Sequence, residues 1–94
     1  MRIKTLKSPN FSKKVRKLKN IKFVIFHYTG MQSKRVSLAR LRSKRHKVSS
    51  HYFIDRSGEI IRMVDDDKIA WHAGKSKWGK FQNLNEHSLG IELV

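Results

Sequence analysis

Apolar residues concentrate in a few short runs along the chain, and these runs predict the strands of the fold. Residues 23–26 are all apolar, and the run lies between Lys22 and Gly30. We predict a strand at residues 22–27 that is buried on both faces, because a strand with one face in water would alternate apolar and polar residues. Residues 89–93 predict a second strand of the same kind. We expect the two strands to be neighbours in one sheet.

A basic segment after the first strand predicts a helix near residues 34–45. Ser33 is a candidate N-cap, and a narrow apolar stripe follows one side of the segment, made of Val36, Leu38, Ala39 and Leu41. Two β-rich runs around Gly58 predict a hairpin at residues 51–64, since glycine can take the positive φ that such turns use. Strands and a helix in this order are typical of an α/β fold.

Two further segments are predicted to lie outside the sheet. Residues 1–20 are expected to form a solvated basic arm with a short helical turn, whose apolar face would consist of Phe11, Val15 and Leu18. The glycines and polar residues at positions 74–79 predict a long loop. We expect Trp78 and Phe81 to tether that loop to the domain.

Composition limits the class of protein without fixing its function. Ninety-four residues suffice for one small domain, and the absence of cysteine excludes disulfides and thiolate metal sites. Any metal would therefore be held by His, Asp or Glu. No apolar run approaches the roughly 20 residues of a membrane span, and the start lacks the apolar segment of a signal peptide. We expect a cytoplasmic location, with a periplasmic or secreted one as the alternative.

The charge is distributed unevenly between the two halves of the chain. Residues 1–50 contain sixteen lysines and arginines and no acidic residue, whereas residues 51–94 contain six against seven, which gives the net charge of +15. A basic half of this kind attracts polyanions such as nucleic acid, acidic lipid or an acidic wall polymer. The alternative is a solvated surface without a partner.

Three residues are candidates for chemistry. His27 ends the first strand, His72 lies beside Trp71 among small residues, and Glu92 lies within an apolar strand. Imidazole with an open coordination position suits zinc, and a nearby carboxylate suits a general base. Each residue also has a structural alternative: the histidines can bond loop carbonyls, and Glu92 can pair with a cation. The residues alone leave both interpretations open.

Four sequence blocks decide between them. The chain resembles the zinc-dependent N-acetylmuramoyl-L-alanine amidases, which share their fold with the peptidoglycan recognition proteins, in the blocks FVIFHYT (23–29), VSSHYFIDRSGEI (48–60), AWHAGKSKW (70–78) and NEHSLGIEL (85–93). The resemblance implies an α/β fold with a mixed central β-sheet and flanking helices, truncated at the C-terminus. Residues 21–94 would form the N-terminal part of the amidase domain, following the arm at residues 1–20.

The resemblance also implies a role for each candidate residue. His27 corresponds to a zinc ligand, Glu92 to the catalytic base, and Trp71 and His72 to residues that bind substrate. His51 corresponds to a mainly architectural position. The implied reaction hydrolyses the amide between the muramoyl lactyl group and L-alanine in peptidoglycan or muropeptides. Zinc would polarise the carbonyl and activate water, and Glu92 would move the proton to the leaving amine.

The family pattern is incomplete in this sequence. The remaining zinc ligands are expected beyond Val94, and a catalytic zinc site normally needs three protein ligands. We therefore expect the 94-residue chain alone to bind zinc weakly and to show no amidase activity. The alternative function is an inactive, peptidoglycan-binding remnant. A basic nucleic-acid-binding module is less favoured, because aromatic residues are not interleaved with the cations.

Overall fold

A computed structural model describes residues 3–28, 33–74 and 77–94, excluding the side chain of Lys77. The elements in chain order are β1 (Ile3–Thr5), β2 (Phe11–Val15), β3 (Phe23–Tyr28), α1 (Lys34–Arg42), β4 (Tyr52–Ile54), β5 (Ile60–Arg62), β6 (Lys68–Ala70), β7 (Lys77–Trp78), β8 (Phe81–Gln82) and β9 (Ser88–Leu93). Single 3₁₀ turns lie at Leu18–Asn20 and Leu84–His87. Gly30, which bounds the first apolar run, lies outside the described residues.

Five strands form a central sheet in the order β1-β5-β4-β9-β3. The β4–β5 hairpin is antiparallel, and the other neighbours are parallel. The expected α/β fold with a mixed central sheet is therefore confirmed, and so are the hairpin and the pairing of the two apolar strands. Among the described residues the helical elements are α1 and the two 3₁₀ turns.

The two faces of the central sheet differ in what covers them. Side chains at paired positions of neighbouring strands share a face, so the register places His27, Glu92, Phe53 and Ile61 together. We call this the helix face, because Leu41 of α1 packs with Phe53 and Ile61 in the core. The opposite side, which we call the open face, carries Val24, Phe26, Leu89, Ile91 and Ile54.

Strand β3 corrects the prediction of a strand buried on both faces. Its residues alternate between half-buried and exposed, and Val24 and Phe26 are 52% and 58% exposed. Strand β3 is also an edge of the sheet. The prediction was wrong because an unbroken apolar run shows only that both faces of a strand are suited to burial. Whether each face is buried depends on the elements that pack on it, and these come from elsewhere in the chain.

Helix α1 begins as predicted and ends earlier. Ser33 caps it, accepting a hydrogen bond from the backbone N–H of Val36 at 3.3 Å. At the other end Ser8 Oγ donates to the carbonyl of Leu41 at 2.5 Å, and Asn10 Nδ2 donates to the carbonyl of Ser43 at 2.8 Å. Buried side chains from another segment thus satisfy the last carbonyls and end the helix at Arg42.

The apolar stripe predicted for this helix is only partly correct. Leu38 and Leu41 pack against the core, whereas Val36 is 52% exposed and Ala39 is also exposed. Ser37 is buried instead, with its hydroxyl donating to the carbonyl of Ser33. A short polar side chain can occupy the interface when its hydroxyl bonds the preceding turn.

The N-terminal segment is part of the fold and not a solvated arm. Strand β1 pairs with β5 in the central sheet, and β2 pairs with β6 in a second sheet, so the predicted helical turn is wrong. The residues that anchor the segment are polar: Ser8, Asn10 and Arg16 are buried, whereas Phe11, Val15 and Leu18 are exposed. Apolar spacing therefore pointed to the wrong residues. The domain division at residue 20 stays a prediction.

The segment after β6 contains a short hairpin where a long loop was expected. Strands β7 and β8 pair around Gly79, which has φ of +57°. The ring of Phe81 contacts that of Phe23 edge-on at 5.2 Å, as expected of a tether, whereas Trp78 is 68% exposed and does not act as one. In the described parts of the chain, no helix is long and apolar enough to cross a membrane.

Candidate active site

Two of the predicted residues meet where strands β3 and β9 run side by side in the central sheet. His27 and Glu92 are register partners, so both side chains lie on the helix face. Phe53 of β4 is the next partner of Glu92 across the sheet. The position of His27 and Glu92 is thus fixed by three hydrogen-bonded strands, which form a rigid support for a site.

The third predicted residue, His72, contacts His27 directly. Its Nδ1 lies 3.0 Å from Nε2 of His27, and the two rings meet edge-on with centroids 5.2 Å apart. Its other nitrogen, Nε2, lies 3.0 Å from the hydroxyl of Ser88 at the start of β9. The pKa of His72 is lowered to about 3, mainly by burial and to a smaller extent by the neighbouring His27, His51 and Arg16. His72 is therefore neutral at physiological pH.

Gly90 provides the space that the ring of His72 occupies. A Cβ atom at position 90 would lie 2.4 Å from Cγ of His72, which no side chain can tolerate without displacement of the ring. The backbone N–H of Gly90 also donates to Nδ1 of His51 at 3.0 Å. This one residue of β9 therefore contacts two histidines.

His51 is a structural brace. It is fully buried, and its Nε2 lies 2.8 Å from the carbonyl of Lys68 in β6. Because Nδ1 accepts from Gly90, the proton is on Nε2, and the ring joins β9 to β6. Burial lowers the pKa of His51, which keeps the ring neutral.

The loop that carries Trp71 and His72 is held through its backbone. Asn85 Oδ1 accepts from the N–H groups of His72 at 3.1 Å and Ala73 at 2.7 Å. Ser49 Oγ accepts from the N–H of Trp71 at 2.9 Å, and the N–H of Ser49 donates to the Trp71 carbonyl. These bonds fix the loop without using the two side chains that were predicted to bind substrate.

A cleft of about 220 Å³ opens beside these residues, between α1 and the sheet. Trp71, His72 and Glu92 line it, together with Arg40 and Leu41 of α1. His27 lies next to the cleft, in contact with His72. Partial burial raises the pKa of Glu92, while the charges of His27 and Arg40 act in the opposite direction. The cleft thus contains both a carboxyl group with a raised pKa, that of Glu92, and the indole ring of Trp71.

The described residues supply only part of a metal site. His27 is an imidazole donor at a strand end, yet the described part of the chain contains no group of three His, Asp or Glu residues that could hold a metal ion. A catalytic zinc centre uses three protein ligands and one open position. The assignment of His27 as a zinc ligand stays a prediction, and the described residues do not complete the ligand set.

Sequence reasoning missed three residues of this site. Ser88 contacts His72, Asn85 holds its backbone, and Gly90 makes room for its ring. Gly90 had a detectable signal, because glycine within an apolar strand often marks a close approach of another group. Ser88 and Asn85 carried no such signal, since either residue is equally common in a turn before a strand.

Comparison with known families and proteins finds amidases. A family profile described as N-acetylmuramoyl-L-alanine amidase matches residues 17–94. The 1,6-anhydro-N-acetylmuramyl-L-alanine amidase AmpD of Escherichia coli (strain K12) is 49% identical over 47 residues, which is 50% of this chain and 26% of AmpD. The chain thus spans about a quarter of that relative's length in the alignment.

Two solved structures have similar folds. An AmpD derivative superposes with a TM-score of 0.76 at 25% identity, covering 97% of this chain and 60% of AmpD. The E. coli amidase AmiD, solved with the substrate anhydro-N-acetylmuramic acid-L-Ala-D-γ-Glu-L-Lys, has a TM-score of 0.69 at 36% identity. That match covers 87% of this chain and 33% of AmiD. The fold of this chain is therefore similar to that of these two amidase structures.

Proposed function

The chain belongs to the N-acetylmuramoyl-L-alanine amidase family, and from this we propose that its domain hydrolyses the amide between the N-acetylmuramoyl group and L-alanine. The observation that carries the proposal is the meeting of His27, His72 and Glu92 on one sheet face, beside a cleft that Trp71 lines. AmiD was solved with an anhydromuropeptide, which supports muropeptides as the substrate class.

Glu92 is the proposed base. Its carboxylate lines the cleft, and burial raises its pKa, which makes it a stronger proton acceptor than an exposed glutamate. In the proposed reaction Glu92 takes a proton from the attacking water and delivers it to the amine of L-alanine as the amide bond breaks. The charges of the nearby His27 and Arg40 act against burial and lower the pKa of Glu92, which favours the ionised carboxylate.

Trp71 and His72 would bind substrate in different ways. The indole of Trp71 lines the cleft and offers an apolar surface to a sugar ring or a peptide side chain. Both nitrogens of His72 already contact His27 and Ser88. Its share in substrate binding would therefore be limited to ring carbon atoms.

His27 is the proposed contribution of this chain to a zinc site. When bound, zinc would supply Lewis-acid polarisation of the scissile carbonyl. The described residues lack a group of three ligands, so the other ligands are proposed to come from residues outside these 94. His27→Ala should then abolish zinc binding in any form of the domain that binds it.

The test of hydrolysis uses a fusion of this chain with the part of AmpD that the chain does not cover. The substrate is anhydro-N-acetylmuramic acid-L-Ala-D-γ-Glu-L-Lys, and released peptide is measured by mass spectrometry. We expect cleavage by the fusion, and a loss of about 10²–10⁴-fold in Glu92→Gln, the usual contribution of a general base. Glu86→Gln, which removes an exposed ion pair with Lys14, is the control. Unchanged turnover in Glu92→Gln would assign the base elsewhere.

Muropeptide binding without hydrolysis is the second candidate. It is favoured by the absence of a three-residue metal group in the described part of the chain. Calorimetric titration of the 94-residue chain with the same muropeptide, followed by mass spectrometry of the recovered ligand, separates the two functions. Binding with an intact ligand supports the second candidate, and recovery of free peptide supports catalysis by these residues alone.

Weak contact with polyanions is a further proposed property. The first fifty residues carry sixteen cations and no acid, and several of those cations, including Lys13, Lys17 and Lys19, are exposed. Binding to duplex DNA should fall steeply with salt and should show no sequence preference. Binding that is selective for one DNA sequence would contradict this proposal. The cytoplasmic location expected from the sequence also stays a prediction.

A further inference from the structure

The direction of the hydrogen bonds around His72 can be assigned from one fixed point, the hydroxyl of Ser88. Its Oγ lies 2.6 Å from the carbonyl of Leu84, and a carbonyl can only accept. The single hydroxyl proton of Ser88 is therefore directed at Leu84. Ser88 Oγ is left as an acceptor toward its other neighbour, Nε2 of His72, at 3.0 Å.

The same reasoning continues through His72 to His27. Since His72 donates from Nε2, the neutral ring has no proton on Nδ1, which must accept. The atom that faces it at 3.0 Å is Nε2 of His27, which consequently carries a proton. In neutral His27 the remaining nitrogen, Nδ1, then holds the lone pair.

We propose that Ser88 and His72 form a hydrogen-bond relay, anchored on the Leu84 carbonyl, that holds His27 in the Nε2–H tautomer and reserves its Nδ1 as the metal-binding atom. His72 is thereby a positioning residue for His27. The use of Nδ1 rests on the proposed function, in which His27 is a ligand, whereas the tautomer itself does not. Relays of this kind fix the orientation and raise the basicity of metal-binding histidines.

Three features show that the relay is held in place by the fold. Ser88 is fully buried, so water offers no alternative partner to its hydroxyl. The His72 ring fills the space left by Gly90, where a Cβ atom would come within 2.4 Å of it. The backbone of His72 is fixed by Asn85. The ring is therefore held in one position, and among the described residues its two nitrogens have one hydrogen-bond partner each.

The test reads the tautomers directly, by two-bond ¹H–¹⁵N correlation spectra of the ¹⁵N-labelled 94-residue chain without metal. The pH is kept above the ordinary histidine pKa of about 6.5, so that neutral rings dominate. We expect His27 and His72 both to show the Nε2–H pattern. A His27 in the Nδ1–H form, or in an even mixture of both forms, would overturn the proposal.

Variants of Ser88 test whether the relay is the cause. In Ser88→Ala, Nε2–H of His72 loses its acceptor, and we expect mixed tautomers in both rings. Ser88→Thr keeps a hydroxyl and should restore the wild-type pattern. Ser50→Ala is the matched control, because Ser50 is also fully buried and its hydroxyl donates to the carbonyl of Tyr52. Unaltered patterns in Ser88→Ala would contradict the relay.

Two further measurements keep the outcome decisive. If Ser88→Ala fails to fold, as its amide spectrum would show, the wild-type tautomers and the Ser88→Thr variant still decide the question. In the zinc-binding fusion, Ser88→Ala should weaken zinc affinity about 10–100-fold. Failure of hydrolysis would leave the tautomer pattern intact, so a wrong relay and a wrong function give different results.

Discussion

The helix face and the open face of the central sheet are built from alternate residues of the same strands, yet among the described residues the helix face is the more deeply buried. On the helix face Phe53 and Ile61 are 0% and 3% exposed, beneath Leu41 of α1. On the open face Val24 and Phe26 remain more than half exposed. The difference teaches that burial here is set by what packs on a strand and not by the strand's own residues.

Function follows the covered face. His27 and Glu92 lie on the helix face, where neighbouring elements hold the surrounding side chains. A catalytic group must be held in one geometry, which needs contacts from several directions. The open face offers apolar area without such contacts, and exposed apolar patches usually serve association. The two faces should therefore respond differently to the same substitution.

The largest contrast is expected between Phe53→Ala and Phe26→Ala. Truncation of the fully buried Phe53 leaves a cavity in the core and should lower the free energy of unfolding by about 3–5 kcal/mol. Phe26 is 58% exposed, so its truncation should cost less than about 1 kcal/mol. Urea unfolding followed by circular dichroism measures both. Similar losses in the two variants would mean that the open face is covered in solution.

Gly90→Ala tests the helix face at the site itself. The added methyl group would lie 2.4 Å from Cγ of His72, so the ring must move or the strand must shift. Overpacking of this kind should cost about 1–3 kcal/mol of unfolding free energy. The expected signature is a changed ring environment of His72 in the NMR spectrum.

Val24→Ala is the control for that experiment. It changes one position on β3, the strand next to β9, but on the open face, where Val24 is 52% exposed. It should leave the His72 resonances unchanged. If Gly90→Ala also leaves the His72 resonances unchanged, the His72 ring does not lie against β9 as described.

The pH dependence of stability should report the buried histidine His51. Burial lowers its pKa, so the unfolded chain takes up a proton more readily than the folded one below about pH 6.5. Stability should therefore be full above that pH and fall as the pH decreases toward the folded-state pKa. Arg16 acts in the same direction as burial, whereas Asp66 and the bond to the Lys68 carbonyl oppose it.

This prediction is checked by measuring the free energy of unfolding of wild type, His51→Gln and His46→Gln from pH ~5 to ~8, a range that spans the ordinary histidine pKa of about 6.5. The slope below that pKa should become smaller in His51→Gln. It should persist in His46→Gln, because His46 is exposed. The buried His72 also contributes to the slope, so His51→Gln should reduce it without removing it. An identical slope in all three proteins would show that His51 titrates normally.

The sequence sufficed for features that depend on local pattern. Apolar runs located β3 and β9, Gly58 marked the hairpin, and Ser33 marked the start of α1. The sequence did not suffice for features that depend on residues distant in the chain. The end of α1 depends on Ser8 and Asn10, more than thirty residues away in the chain. Periodicity contains no information on such partners.

The residues of the candidate site also fall into two groups, those that the sequence indicated and those that it did not. Family resemblance selected His27, Trp71, His72 and Glu92, and the structure brings these residues to one side of the sheet. The supporting residues Ser88 and Asn85 act through hydrogen bonds to the loop that carries His72. Such bonds depend on tertiary geometry, which no spacing rule predicts, since polar side chains before a strand usually face water.

The smallest effect is expected at the rim of the helix face, where Lys34 of α1 bridges two carboxylates of the β4–β5 hairpin. Its Nζ lies 2.6 Å from Glu59 and 3.2 Å from Asp55, and Lys4 of β1 also pairs with Glu59. Hydrogen bonds from Ser57 and Lys34 lower the pKa of Asp55 to about 2. The cluster therefore stabilises the fold above the ordinary Asp pKa of about 3.9, and this contribution is lost as the pH falls toward 2.

Lys34→Met should consequently lower stability slightly at neutral pH and low salt, because exposed ion pairs are weak and screened. The difference from wild type should shrink in high salt, and it should also shrink as the pH falls toward 2, because Asp55 takes up a proton as the pH passes through its lowered pKa of about 2. Lys44→Met, which replaces an exposed lysine after α1, is the matched control. The measurement is the urea midpoint of both variants across salt concentration. A Lys34→Met loss that persists in high salt would show that the side chain stabilises α1 by packing and not by charge.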